Sequence, residues 1–134
     1  MTELVLISHG SFSVELLKSA EMIMGPQDNI HAIPLLPSEG QEDFLAKFDA
    51  LVKDFDDYVV FADLLGGTPA NTISKQIMLG RDIQLYTGMN LPMVIEFVNS
   101  SLVGTDPDYI TAAQNAIVNV NDVLAADDDD EDDE

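Results

Sequence analysis

Two side chains have the types and settings to work as a nucleophile and its partner. His9 directly follows the apolar run Leu4-Val5-Leu6-Ile7 and Ser8, and Asp63 directly follows Tyr58-Val59-Val60-Phe61-Ala62. A histidine is a good nucleophile when neutral, with one ring nitrogen free and the other protonated. A carboxylate accepting that N–H fixes the tautomer, orients the ring and stabilises positive charge developing on it. If the attacked atom is phosphorus, the product is a phosphoimidazole, whose labile N–P bond lets the group move on. Such a group needs donors around its oxygens. Gly66 and Gly67 let backbone come close, and the Thr68 hydroxyl and the N–H groups of the following helix start can supply hydrogen bonds. The scheme needs no metal or other cofactor, and no second histidine or acidic cluster has ligand spacing. Each piece has a plainer reading: a strand-end histidine facing solvent, an aspartate capping its loop, a Gly-Gly-Thr-Pro helix start. Their joint occurrence on one rim favours the chemical reading. His31 falls in an edge strand and reads as structural or exposed.

The elements that must bring these residues together follow from the hydrophobic pattern. Leu4–Ile7 and Tyr58–Ala62 are unbroken apolar runs, as expected of strands covered on both faces. A helix is expected from Val14 to Met24, with Ser11 or Ser13 able to cap it and Gly25-Pro26 to close it. Ile30 to Leu36 reads as a second strand, which Pro34 restricts to a sheet edge or a strand end. Phe44, Leu45, Phe48, Leu51, Val52 and Phe55 form one helical stripe. After the third strand and Asp63, Thr68 is a good N-cap and Pro69 a good first residue for a helix stopped at Gly80. Ile83–Thr87 is the fourth strand, followed by a short helix from Pro92 to about Val98 and a last helix opened by Asp106-Pro107. Ile117 to Leu124 either extends that helix or forms a fifth strand. Strands and helices alternating in this way give a doubly wound α/β fold: a mainly parallel four-stranded sheet with helices on both faces. Right-handed crossovers then put His9 and Asp63 on the same rim, where open sheets carry their chemistry.

Composition narrows the function. The 134 residues fit one domain, read as residues 1–124, with an acidic tail over 125–134 expected to be disordered. Cysteine is absent, which removes disulfides and thiolate chemistry. No membrane-length apolar run and no signal-peptide pattern occur, so a cytoplasmic protein is expected. The net charge is −20, and without the eight carboxylates of Asp127–Glu134 it is still −12. Nucleic acid would be repelled, whereas a basic protein partner would be attracted.

Three segments together carry a family resemblance: Ile7-Ser8-His9-Gly10; Phe61-Ala62-Asp63 with Gly66-Gly67-Thr68-Pro69-Ala70-Asn71; and Gly88-Met89-Asn90-Leu91-Pro92-Met93. From about residue 2 to residue 120 the chain resembles the enzyme IIA domain of the mannose-type bacterial phosphotransferase system. The resemblance implies that His9 accepts a phosphoryl group from phosphorylated HPr through Nε2 and hands it to enzyme IIB during coupled sugar uptake. It implies that Asp63 partners Nδ1 and that Thr68 lies near the phosphoryl oxygens. It also implies a homodimer in which a C-terminal strand, here Ile117 to Leu124, is exchanged between subunits. Association with the membrane sugar-transport complex is expected to be peripheral. Some relatives continue through an Ala- and Pro-rich linker into an enzyme IIB domain. This chain runs into acids instead, so a separate enzyme IIB polypeptide is expected.

Other chemistries fit less well. A histidine phosphatase needs arginines beside its His-Gly, and Arg81 is the sole arginine. A phosphate-binding loop needs a Gly-Lys-Ser/Thr ending, which is absent. A response-regulator receiver would have acids where Ser8 and His9 stand. The phosphotransfer subunit of dihydroxyacetone kinase is the nearest alternative, though it typically lacks the Gly-Gly-Thr-Pro-Ala-Asn run. A regulatory module, whose phosphorylation is read by a partner without onward transfer, is the alternative from another class.

Overall fold

A strand that is apolar on both sides has to lie inside a sheet that is covered above and below. In a computed structural model, which describes residues 1–132, the four side chains of Leu4–Ile7 are fully buried in β1 (Glu3–His9). The chain continues through α1 (Phe12–Met24), β2 (Ile30–Leu35), α2 (Gln41–Val52), β3 (Tyr58–Ala62), α3 (Thr68–Met78) and β4 (Gln84–Tyr86). It ends in α4 (Leu91–Val103), α5 (Tyr109–Asn115) and α6 (Val120–Asp132). All strand pairs are parallel, in the order β2-β1-β3-β4. The doubly wound α/β architecture expected from the sequence is therefore present. β2 is an edge strand, which spares the sheet the N–H that Pro34 lacks.

Alternation along β1 divides the core in two. Leu4 and Leu6 pack with Leu16 and Ala20 of α1, with Met93, Val94, Phe97 and Val98 of α4, and with Tyr109. Val5 and Ile7 face the other way, onto Phe44, Phe48 and Val52 of α2 and Ala70 and Ile73 of α3. The same alternation carries Ser8 to the α1 side and His9 to the α3 side. The order of the strands gives that strand end its importance. From β1 the chain crosses to β2 on one flank, and from β3 it crosses to β4 on the other. The winding therefore reverses between β1 and β3, and a crevice opens there at the strand ends.

Several boundaries differ from expectation. The α3 N-cap is Gly67, with Thr68 and Pro69 inside the first turn, so the helix starts one residue earlier than a Thr68 cap implies. The N-cap of α5 is Asp108, whose carboxylate accepts the Thr111 N–H, rather than Asp106. α4 runs beyond Val98 to Val103, where Gly104 ends it in the left-handed conformation at φ 72°. β4 is three residues long, shorter than the strand expected over Ile83–Thr87. Ile117 to Leu124 neither extends α5 nor forms a strand. Asn119 caps a new helix there: its side-chain oxygen accepts the Asn121 N–H, and its carbonyl accepts those of Asp122 and Val123. The alternation of Val118 and Val120 with Asn119 and Asn121, which suits a strand, marks a helix start instead. α6 runs on through Asp132, within the acidic stretch 125–134; residues 133 and 134 lie outside the described residues.

Tyr109 closes one core against Phe61 and Tyr86, the three rings meeting edge-on at centroid distances of 4.9 to 5.9 Å. Burial raises the Tyr109 phenol from 10.0 to about 12, with the Tyr86, Glu96 and Asp57 charges adding in the same direction. The fold thus favours the neutral phenol. Its contribution to stability is complete below pH 10 and is lost as pH rises from about 10 to about 12. Ultraviolet titration is expected to show a late phenolate that Tyr109→Phe removes.

Candidate functional site

His9 is the last residue of β1, and Asp63 follows the last residue of β3, so the crevice between those strands holds both. The His9 Nδ1 lies 2.8 Å from the Asp63 Oδ2. The same oxygen accepts the His9 backbone N–H at 2.9 Å, and Oδ1 accepts the Leu64 N–H at 3.0 Å. The carboxylate is thereby tied to its own loop and to the neighbouring strand. An ionised carboxylate can only accept, so the proton of a neutral His9 sits on Nδ1 and the Nε2 lone pair is free. The exposures suit this division: the Asp63 side chain is 9% exposed and the His9 side chain 47%.

The Cε1–Nε2 edge of the ring lies against Gly67. A Cβ on Gly67 would fall inside van der Waals contact with Cε1 and 3.0 Å from Nε2. Gly67 has φ −89° and ψ 167°, which any residue can adopt, so glycine is required here for space and not for its backbone freedom. Gly66 differs, with φ 89° turning the chain into α3. Asn71 holds this turn: its Nδ2 donates to the Gly66 carbonyl at 3.1 Å and its N–H to the Gly67 carbonyl at 2.8 Å. Nε2 consequently faces the N-terminus of α3, where the first N–H groups have no intrahelical acceptor and the helix dipole is positive. No acid in that first turn opposes the field. Thr68 is half-buried in the same turn.

The structure therefore brings His9, Asp63, Gly66, Gly67 and Thr68 together at one strand-end crevice. His31 is elsewhere: its Nε2 lies 2.8 Å from Glu3 Oε2 and its ring packs on Phe55. No group of three or more histidine and carboxylate side chains is arranged to hold a metal among the described residues. Two residues that support the crevice, Ser8 and Asn71, were not identified as such from the sequence. Asn71 had a readable signal in its position four residues after Gly67, from which an amide can reach back across a helix start.

The fold and the crevice define an open α/β domain with an imidazole–carboxylate pair at its switch point, beside an anion-favouring helix start. Residues 3–115 match the family EIIA-man, described as "PTS system fructose IIA component". Over 96 residues the chain is 31% identical to the PTS system mannose-specific EIIAB component of Escherichia coli strain K12, covering 69% of this chain but 30% of that protein. The PTS system fructose-specific EIIA component of Bacillus subtilis strain 168 is 28% identical over 102 residues, covering 74% of this chain and 70% of that one. Among solved structures, phosphotransferase system component EIIA from Streptococcus agalactiae superposes with a TM-score of 0.79 at 30% identity, covering 90% and 98% of the two chains. The chain belongs to the mannose family of phosphotransferase-system enzyme IIA components, whose members are phosphotransferase components.

Proposed function

We propose that this protein is a phosphohistidine carrier of a sugar phosphotransferase system, loaded by phospho-HPr on His9 and discharged to enzyme IIB. The observation that carries the reading is the 2.8 Å contact between His9 Nδ1 and Asp63 Oδ2, which leaves Nε2 free beside Gly67. In the forward step the Nε2 lone pair attacks phosphorus, a new N–P bond forms and the N–P bond to the donor imidazole breaks. The Nδ1 proton stays between ring and carboxylate, so Asp63 offsets the charge that the ring acquires. The Gly66-Gly67-Thr68 turn and the start of α3 supply donors to the phosphoryl oxygens. Residues 1–124 form the phosphotransfer domain in this reading, and 125–134 its acidic tail.

The reading extends to a cytoplasmic homodimer that meets the membrane complex only peripherally. No helix among the described residues is long and apolar enough to cross a membrane. β4 is an open sheet edge, and beside it lies a groove of about 380 Å³ lined by Leu65, Ile77, Met78 and Leu85. Ile117, Val118, Val120, Val123 and Leu124 are exposed and apolar, a segment suited to cover such an edge in a second copy.

The test is phosphoryl transfer: with phosphoenolpyruvate, enzyme I and HPr, the protein is expected to gain one acid-labile, base-stable phosphoryl group and to lose it on addition of enzyme IIB. No label, or label that enzyme IIB cannot remove, defeats the reading. Gly67→Ala isolates the geometry. Its methyl group would displace the ring, and transfer is expected to slow by about 100-fold, the cost of misplacing a reacting group by about 1 Å. Thermal unfolding should stay near wild type, because the backbone there accepts alanine. A wild-type rate in Gly67→Ala would remove the contact from the mechanism.

A further inference from the structure

We propose that Ser8 is a positioning residue for His9, acting through the turn that joins β1 to α1. Its hydroxyl is fully buried and makes two hydrogen bonds: it donates to the Gly10 carbonyl at 3.1 Å and accepts the Ser13 N–H at 2.8 Å. α1 has Ser11 as its N-cap, but Ser11 makes no side-chain capping bond. The cap is supplied from the preceding strand instead. One hydroxyl therefore closes the His9-Gly10-Ser11-Phe12 turn onto the strand that carries the nucleophile.

The consequence for His9 comes from strand alternation. Ser8 and His9 point to opposite faces of the sheet, so the clamps on them act from opposite sides. Asp63 holds the His9 backbone N–H and ring on the α3 side; Ser8 holds the following backbone on the α1 side. The Gly10 N–H donates to the Leu35 carbonyl at 2.8 Å, and Gly10 sits at φ 54°. Without the Ser8 hydroxyl, the Gly10 carbonyl and the Ser13 N–H lose their partner, and the turn has to move to find others. A backbone shift at residue 10 rotates the His9 Cα–Cβ bond and lengthens the Nδ1 contact to Asp63. Ser8 thus keeps the proton on Nδ1 without touching the ring.

The proposal rests on the phosphotransfer reading for its rate and on the geometry alone for its spectroscopy. Long-range proton–nitrogen NMR correlation of the His9 imidazole is expected to show a single Nδ1-H tautomer in the wild type. In Ser8→Ala it should show mixed tautomers, with phosphoryl acceptance from phospho-HPr about tenfold slower. Ser8→Thr, which keeps the oxygen, should restore both. A Ser8→Ala protein with a lower melting temperature but the wild-type tautomer and rate would make Ser8 merely structural and overturn the proposal. Should Ser8→Ala not fold, Ser8→Cys, with weaker hydrogen bonding at similar size, is the variant to measure. The wild-type tautomer and rate in Ser8→Cys would overturn the proposal equally. If the wild type itself takes no label, the phosphotransfer reading fails, and the tautomer comparison still decides Ser8.

Discussion

His9→Ala is expected to abolish phosphoryl acceptance, not merely to slow it. The chain has no cysteine, and its other imidazole, His31, is paired with Glu3. His31 is opposite Val5 in the β1–β2 register, four residues back from His9 and roughly 13 Å along the strand. A phosphoryl group cannot pass between them without a carrier. Because the His9 side chain is 47% exposed, its removal should leave the fold intact, at a cost of about 2 kcal/mol for the lost hydrogen bond to the Asp63 carboxylate. Mass spectrometry after incubation with the phosphorylated donor, alongside a thermal melt, separates loss of chemistry from loss of structure. Label that persists on a folded His9→Ala protein would exclude His9 as the acceptor.

Asp63→Asn has the second largest expected effect, a fall in transfer rate of roughly 10²- to 10⁴-fold, as when an orienting carboxylate beside a catalytic histidine becomes an amide. The amide can donate to Nδ1, which places the ring proton on Nε2 and blocks the nucleophilic nitrogen. It also carries no charge to offset the one the ring acquires. Oδ2 accepts both the ring and the backbone of His9, and an amide nitrogen in its place could accept neither. Rapid-quench measurement of transfer from phospho-HPr gives the rate, and the NMR tautomer of His9 gives the cause. A wild-type rate in Asp63→Asn would remove Asp63 from its proposed role.

What the sequence revealed depended on the length over which each signal was averaged. Leu4–Ile7 and Tyr58–Ala62 were legible as strands because unbroken runs of branched and aromatic residues suit a strand covered on both faces. With the two strand ends located, His9 and Asp63 fell on the same rim by the handedness of the crossovers. The helix ends were less legible, since a cap is decided by one hydrogen bond. Thr68, Asp106 and Ser11 had suitable side chains, but the capping work falls to Gly67 backbone, Asp108 and the distant Ser8. The apolar residues Ile77, Met78 and Leu79 close α3 yet are exposed at 37%, 79% and 71%, and Ile77 and Met78 line the groove that Leu85 of β4 borders. Pattern alone records that a face is apolar; it does not record whether the same chain covers it. The C-terminal segment misled for a related reason, because Asn119 alternating with valines is equally the beginning of a helix.

The way the imidazole is wedged has a kinetic corollary. One of its ring nitrogens is taken by a carboxylate, so a single nitrogen, beside the Gly67 backbone, is left to react. For the carrier proposed above, one reactive nitrogen would make a turnstile: the protein that brings the cargo would have to leave before the one that collects it could enter. Exchange should then run as a two-stroke cycle with no complex of all three proteins, and a surplus of either visitor should slow the other's traffic.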